Sequence, residues 1–126
     1  MKNRVVLGLA LAALTLGLAS SAQAQADAVA KRGKMLWVNR GCGSCHGVGK
    51  KMAGPDLAGV EVRRERQWLD RWLKETDAMI ATDSIAIAMV AEWKGIRMPQ
   101  QALTDQDIEA LLAYIRVEEA KMASKK

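Results

Sequence analysis

The sequence predicts an all-α fold, and three observations support this prediction. Apolar residues recur three and four positions apart, which is the spacing of one helix face. Six glycines and Pro55 gather within 41–59, and Gly95 and Pro99 mark a second irregular stretch over 95–101. No run alternates between polar and apolar residues with the period of two that a half-buried strand shows. Helices are therefore expected outside the two irregular stretches, and no sheet is expected.

Four helices are expected within these limits. They cover 27–39, 65–76, 84–93 and a last segment that follows residue 104. In each of them the apolar side chains line one face of the helix. The residues of the four faces are, in chain order, Val29, Gly33, Leu36 and Trp37; Trp68, Leu69, Trp72 and Leu73; Ile85, Met89 and Trp93; and Ile108, Leu111, Leu112 and Ile115.

Capping residues stand at the start of the last two helices. Asp83 precedes the third helix, and its carboxylate can accept hydrogen bonds from the free amides of a first turn. Thr104 precedes the last helix, and Asp107 follows it at the three-residue spacing of a capping box.

The N-terminus has the pattern of a secretory signal peptide. Two basic residues precede an apolar run over 5–19, and an A-x-A cleavage pattern ends at Ala24. The apolar run is shorter than the roughly 20 residues that a membrane-spanning helix needs. We expect cleavage after Ala24, with Ala26 as the alternative, so that 1–24 is removed and 25–126 is exported to the periplasm. Loss of the two basic residues lowers the net charge from +5 to +3.

The composition points to a domain that is built around a bound group. The chain is 50% hydrophobic and 26% charged, which is typical of one globular domain. It has four Trp, one Tyr and no Phe, and a small domain with so few rings has difficulty forming a core from its own side chains. No aromatic-rich basic stripe indicates nucleic acid, and no run after the signal peptide is long enough to span a membrane.

One motif indicates the identity of that group. The segment 42–46 reads Cys-Gly-Ser-Cys-His, the C-x-x-C-H attachment site of a c-type haem. The thiols of Cys42 and Cys45 can each add to one haem vinyl group, and His46 then lies next to the iron as its proximal ligand. We therefore expect one covalently bound haem c in each chain.

Other uses of the motif each lack a required feature. A thioredoxin-like redox motif follows a strand, and none is predicted here. A structural zinc site needs four ligands, but Cys42, Cys45 and His46 are the only cysteine and histidine residues in the chain. A disulfide that closed so short a loop would be strained.

The second axial ligand is expected to be a methionine, because His46 is the only histidine. Met98 lies in the irregular stretch before the last helix, with Pro99 behind it and enough chain after His46 to wrap the ring. Met89 is the fallback. A thioether ligand stabilises ferrous iron and raises the potential relative to a second imidazole. Weaker candidates are Met35, Met52 and Met79.

Several segments between about 27 and 114 match one known family. They are Gly33 with Trp37; 42–46; Gly54-Pro55-Asp56-Leu57; Met98-Pro99; and Leu103-Thr104-Asp105 leading to Leu111, Tyr114 and Ile115. Through these segments the chain resembles the bacterial class I c-type cytochromes, which hold one haem with histidine and methionine ligands. The resemblance implies about four helices wrapped around one covalently attached haem, with no sheet.

The same resemblance assigns roles to individual residues. The carbonyl of Pro55 would accept a hydrogen bond from Nδ1–H of His46. The first and last helices would cross beside the haem, where Gly33 would allow close approach and Trp37 would pack against the last helix at Leu111 and Tyr114. The resemblance also points to Met98 as the second iron ligand.

A haem with two filled axial positions indicates one-electron transfer and no enzyme activity of its own. The leading interpretation is a periplasmic electron carrier. The alternatives are the haem subunit of a periplasmic oxidoreductase and a gas-binding or peroxidatic haem protein. We expect redox partner proteins with an acidic docking surface, because the loops beside the haem carry Lys50, Lys51, Lys94 and Arg97. The chain would act as a monomer or as a subunit of a larger complex.

Overall fold

A computed structural model gives six α-helices and one 3-10 turn. It describes the backbone of residues 2–125 and the side chains of 20–125. No strand occurs within 2–125, so the all-α prediction is confirmed. The elements are α1 (Lys2–Asn39), the 3-10 turn (Cys42–Ser44), α2 (Val60–Arg63), α3 (Arg66–Lys74), α4 (Thr76–Thr82), α5 (Ser84–Glu92) and α6 (Asp105–Ala123).

All four predicted helices are present, and two short helices were not predicted. α2 has 4 residues and α4 has 7, too few for an apolar period to be recognised. α1 begins at Lys2 and not near residue 27. The chain over 18–32 has no Gly or Pro and is rich in Ala, the strongest helix former, so nothing interrupts the helix there.

The predicted signal peptide, 1–24, stays a prediction. Most of it lies in 1–19, whose side chains are outside the described residues. Over the part of the chain that the structure describes, no helix combines the length and the apolar character needed to cross a membrane.

Both predicted caps are confirmed. The Asp83 carboxylate accepts hydrogen bonds from the amides of Ile85 and Ala86, each at 3.0 Å. Thr104 and Asp107 form a reciprocal capping box at the start of α6. The Thr104 hydroxyl lies 2.8 Å from the Asp107 carboxylate, and hydrogen bonding there lowers the pKa of Asp107 below its usual range. These contacts fix where α5 and α6 begin.

α1 and α6 cross in close contact, as the resemblance implied. A Cβ atom added to Gly33 would lie 1.8 Å from the carbonyl oxygen of Ala110, so the two backbones nearly touch. One turn further along α1, the rings of Trp37 and Tyr114 meet edge to face with their centroids 5.6 Å apart. Glycine is required at the crossing because no side chain fits between the helices.

Gly33→Ala is expected to destabilise the folded protein by about 1–3 kcal/mol, the usual cost of overpacking. The added methyl group meets backbone atoms of α6, which cannot rotate away as a side chain would. Chemical denaturation of the haem-loaded protein measures the loss. Lys34→Ala, an exposed change in the next residue, should alter stability by less than about 0.5 kcal/mol. Equal stability of both variants would contradict the close crossing.

The buried apolar residues form two clusters. The larger, which we call the α6 cluster, contains Leu69, Leu103, Ile108, Leu111, Leu112 and Ile115. The smaller, the α3–α5 cluster, contains Trp72, Met79 and Ala86, with Met89 and Met98 packed against it. Side chains of both clusters line one cavity, which therefore occupies the centre of the fold.

Candidate haem site

The central cavity has a volume of about 650 Å³. This lies within the range of roughly 300–1,000 Å³ that is typical of sites for small molecules and cofactors. Its wall comes from α1, the 3-10 turn, the loop that follows, α2, α3, α5, the loop before α6, and α6 itself. The wall contains all of the haem-site residues that the sequence predicted, namely Cys42, Cys45, His46, Pro55, Met89 and Met98.

The attachment motif is folded by a tight turn at the end of α1. Gly41 adopts the left-handed conformation, with φ 69°, which ends the helix. The amides of Cys45 and His46 both donate to the carbonyl of Cys42, at 3.2 and 2.9 Å. The turn thus brings two thiols and an imidazole to the same cavity within five residues of chain.

Gly43, between the two cysteines, lies directly under Trp37. A Cβ atom there would approach Nε1 of Trp37 to 2.7 Å, so a larger residue would displace the indole. In the C-x-x-C-H motif Gly43 occupies one of the two unspecified positions. No local pattern reveals its contact with Trp37, because that contact depends on how the turn folds back onto α1.

The two thiols differ in environment. Cys42 is partly buried, and burial raises the pKa of its thiol, while Cys45 is exposed. Neither sulfur is in a disulfide. Both thiols are therefore free for covalent attachment to a ligand in the cavity.

The imidazole of His46 is held by the loop that follows the motif. Its Nδ1 atom lies 2.9 Å from the carbonyl oxygen of Pro55. A carbonyl can only accept, so in the neutral ring Nδ1 carries the hydrogen and Nε2 keeps its lone pair. A Cβ atom on Gly54 would lie 2.6 Å from Cε1 of the ring, so only glycine fits beside it. This arrangement leaves Nε2 as the atom that can bind a metal.

The methionines considered as iron ligands fall into two groups, according to whether they line the cavity. Met89 and Met98 line the cavity, whereas Met35, Met52 and Met79 do not. Met79 is fully buried inside the α3–α5 cluster, and the side chain of Met35 is 58% exposed. The Sδ atom of Met98 lies 3.2 Å from Nε1 of Trp72, which donates a hydrogen bond to it. Trp72 was predicted only as a residue of an apolar helix face.

Cations outnumber anions on the cavity wall. Lys51 lies over the ring of Trp93, with its Nζ atom 4.7 Å from the ring centroid, and the guanidinium of Arg64 lies 5.4 Å from that of Trp68. The charged residues of the wall are Arg40, Lys51, Arg63, Arg64 and Arg97, with Asp56 and Glu92. Of the four cations predicted beside the haem, Lys51 and Arg97 lie in this wall; Lys50 and Lys94 do not.

The donor set fits a covalently attached haem. Two thiols separated by two residues, an imidazole with a free Nε2, and a thioether all border one largely apolar space. A helical chain with such a space at its centre belongs to the class of small c-type haem proteins.

Comparison with known proteins identifies the family. The cytochrome c family profile matches residues 30–117. The chain belongs to the cytochrome c family, and this membership implies a covalently bound c-type haem. The predicted class I cytochrome c fold and the predicted cofactor are thereby confirmed.

Individual relatives agree with this assignment. Cytochrome c4 of Stutzerimonas stutzeri is 32% identical over 114 residues, which are 89% of this chain and 49% of the relative. The chain thus spans about half the length of that relative. A cytochrome c from Rhodothermus marinus superposes with a TM-score of 0.66 at 27% identity, over 75% of this chain and 80% of its own. A cytochrome c domain from Pseudomonas putida superposes with a TM-score of 0.63 at 35% identity, over 73% and 92%.

Proposed function

We propose that the protein is a periplasmic one-electron carrier with His46 and Met98 as the axial ligands of a haem bound through Cys42 and Cys45. The observation that supports this most strongly is the meeting of these four side chains at one cavity. A bound c-type haem supplies a metal centre that gains and loses a single electron.

In this proposal the protein's own groups orient the ligands. The Pro55 carbonyl keeps the hydrogen of His46 on Nδ1, which directs Nε2 toward the metal and increases its basicity. Gly54 lies against the ring, and its lack of a side chain leaves the imidazole room for this orientation. The apolar side chains of the wall would lower the polarity around the metal, which helps to set the potential.

Met98 is proposed over Met89 because of where each lies in the chain. Met98 lies outside any helix, between α5 and α6, so its backbone can follow a ligand in the cavity. Met89 lies within α5, whose helical hydrogen bonds hold its backbone in place. Met89 remains the alternative ligand because it also borders the cavity.

Two filled axial positions leave no place for a substrate on the metal, so we propose no enzyme activity for this chain. The periplasmic location rests on the signal-peptide pattern of 1–24. Intact mass measurement of the exported protein tests the cleavage and the haem content, and its absorption spectrum tests the axial ligation. We expect a chain cleaved after Ala24 or Ala26 that carries one haem, and an oxidised absorption spectrum with a thioether-to-iron charge-transfer band. A high-spin spectrum would contradict the proposed ligation.

The redox partner is proposed to dock through an acidic surface. The loop after the attachment motif carries Lys50 and Lys51, and no acidic residue occurs within 41–55 or 94–103. Opposite charges accelerate encounter between proteins, and salt screens this effect over about 10 Å at 0.1 M ionic strength.

We expect Lys50→Glu combined with Lys51→Glu to slow electron transfer to the native partner several-fold at low salt and little at high salt. Charge reversal on one loop changes steering without replacing a proposed iron ligand, so the axial ligation and its charge-transfer band should be kept. Stopped-flow kinetics at varied ionic strength measure the effect. The matched control is Lys31→Glu with Lys34→Glu, which makes the same change of charge on exposed positions of α1.

A parent protein whose rate does not depend on salt would contradict docking by this surface. It would support the alternative that the chain is a pre-assembled subunit of an oxidoreductase. An equal loss of rate in the α1 control would show that net charge alone is responsible, and the loop would then have no special role.

A further inference from the structure

The loop that carries Met98 has a strained backbone on both sides of this residue. We define the Met98 loop as residues 93–103, between α5 and the cap of α6. Lys94 and Ala102 have positive φ angles, of 55° and 49°, although neither is a glycine. Residues with a Cβ atom adopt this left-handed conformation at an energetic cost, and they keep it only where their surroundings enforce it. Contacts outside the loop must therefore hold it in this shape.

The side-chain amide of Gln100 provides such contacts. Its Nε2 donates to the main-chain carbonyl of Lys74, the last residue of α3. Its Oε1 accepts a hydrogen bond from the main-chain amide of Asp77, in the first turn of α4, at 3.0 Å. Main-chain groups at helix ends lack partners within their own helix. One side chain thus pairs two such groups and joins the Met98 loop to the junction of α3 and α4.

Two further contacts of the loop act at other positions. The buried residue Leu103 fixes the end of the loop, where its amide donates to the Leu73 carbonyl at 3.2 Å. The ion pair of Arg97 with Asp77 is 3.7 Å long and more than half exposed on both sides, so it contributes little. Gln100 lies between these two positions, and its bonds hold the middle of the loop.

The position of Gln100 along the chain couples it closely to Met98. Only Pro99 separates the two residues, and the ring of a proline fixes its φ angle near −65°. The backbone between Gln100 and Met98 therefore has little freedom, so the place of one limits the place of the other. Gln100 itself is not part of the cavity wall. Any effect it has on the metal acts through the backbone.

We propose that Gln100 is a positioning residue for Met98, whose side-chain amide clamps the strained loop to the junction of α3 and α4 and so keeps the thioether at the iron. The inference rests on the proposed function, in which Met98 is an axial ligand. Without the clamp, movement of the loop relieves the strain at Ala102, and Met98 leaves the iron in a larger fraction of molecules. An external ligand then binds more tightly, because its apparent affinity rises with the fraction that is open.

Gln100→Ala in the haem-loaded protein tests the proposal, with Gln101→Ala as the matched control. Both changes remove the same side chain from adjacent positions, but the amide of Gln101 donates to the Pro99 carbonyl, within the loop. Equilibrium titration of the oxidised protein with cyanide at fixed pH measures the open fraction. We expect Gln100→Ala to raise the apparent affinity for cyanide about fivefold to thirtyfold, the effect of two lost hydrogen bonds. Gln101→Ala should change it less than about twofold.

Ala102→Gly supplies a test that does not depend on the folding of the Gln100 variant. Glycine adopts a positive φ angle without steric cost, so this change removes strain from the loop while leaving the clamp in place. We expect the apparent affinity for cyanide to fall about twofold to fivefold below that of the parent. An unchanged or higher affinity would show that the strain does not act on Met98, and the proposal would be overturned.

The outcomes separate this inference from the function on which it rests. If the parent shows the charge-transfer band and both glutamine variants bind cyanide equally, Gln100 does not position Met98. If Gln100→Ala lowers stability to chemical denaturation but leaves the affinity for cyanide unchanged, its role is merely structural, and the proposal fails. If the parent shows no band, the proposed ligation by His46 and Met98 fails, and the inference fails with it.

Discussion

Replacement of both Cys42 and Cys45 with alanine is expected to yield a protein that has no covalent haem and is largely unfolded. The folded chain surrounds a central space of about 650 Å³. Without haem, the apolar side chains that line this space lose the group against which they pack, and an unfilled apolar space destabilises a fold. The entire stability of a domain is only about 5–15 kcal/mol. We therefore expect the helices to lose their arrangement without the group that fills the space.

Circular dichroism and thermal melting of the exported double variant measure this effect. We expect weak helical signal and no cooperative transition, while each single variant retains at most one thioether bond to haem. Ser44→Ala is the matched control, because Ser44 lies between the cysteines and its hydroxyl donates to the Gly41 carbonyl at 2.6 Å. A helical double variant that melts cooperatively would show that the chain forms its core unaided.

The parts of the fold that sequence predicted well are those fixed by local interactions. Asp83 and Thr104 cap helices through bonds to residues two or three positions away, so their spacing is visible in the chain. The attachment motif is equally local, since Cys42 and His46 are joined by one turn. Such features do not depend on where the remaining chain lies.

The features that were missed depend on tertiary contacts. Trp72 and Met98 are 26 positions apart, and nothing in either neighbourhood predicts that the indole reaches the sulfur. The contact of Gly43 with Trp37 likewise requires the turn to fold back onto α1. Sequence could not exclude Met89 as a ligand, and the structure keeps it on the cavity wall beside Met98.

Substitution of the methionine that binds the iron is predicted to have a large effect on the spectrum, the potential and ligand binding. Met98→Leu is expected to abolish the thioether-to-iron charge-transfer band, lower the reduction potential and open the metal to carbon monoxide and cyanide. Leucine has nearly the volume of methionine, so the packing against the α3–α5 cluster is kept while the sulfur is lost. Binding of carbon monoxide should rise from undetectable in the parent to one equivalent per haem. Absorption spectra, a redox titration and carbon monoxide titration of the reduced protein measure the three changes.

Met89→Leu is the matched control, because it removes the other thioether of the cavity wall by the same substitution. It should keep the band and the potential, exclude carbon monoxide, and cost less than about 1.5 kcal/mol of stability as a volume-conserving change. The reverse pattern would identify Met89 as the ligand. Persistence of the band in both variants would mean that another methionine supplies the thioether or that either of these two can replace the other at the iron.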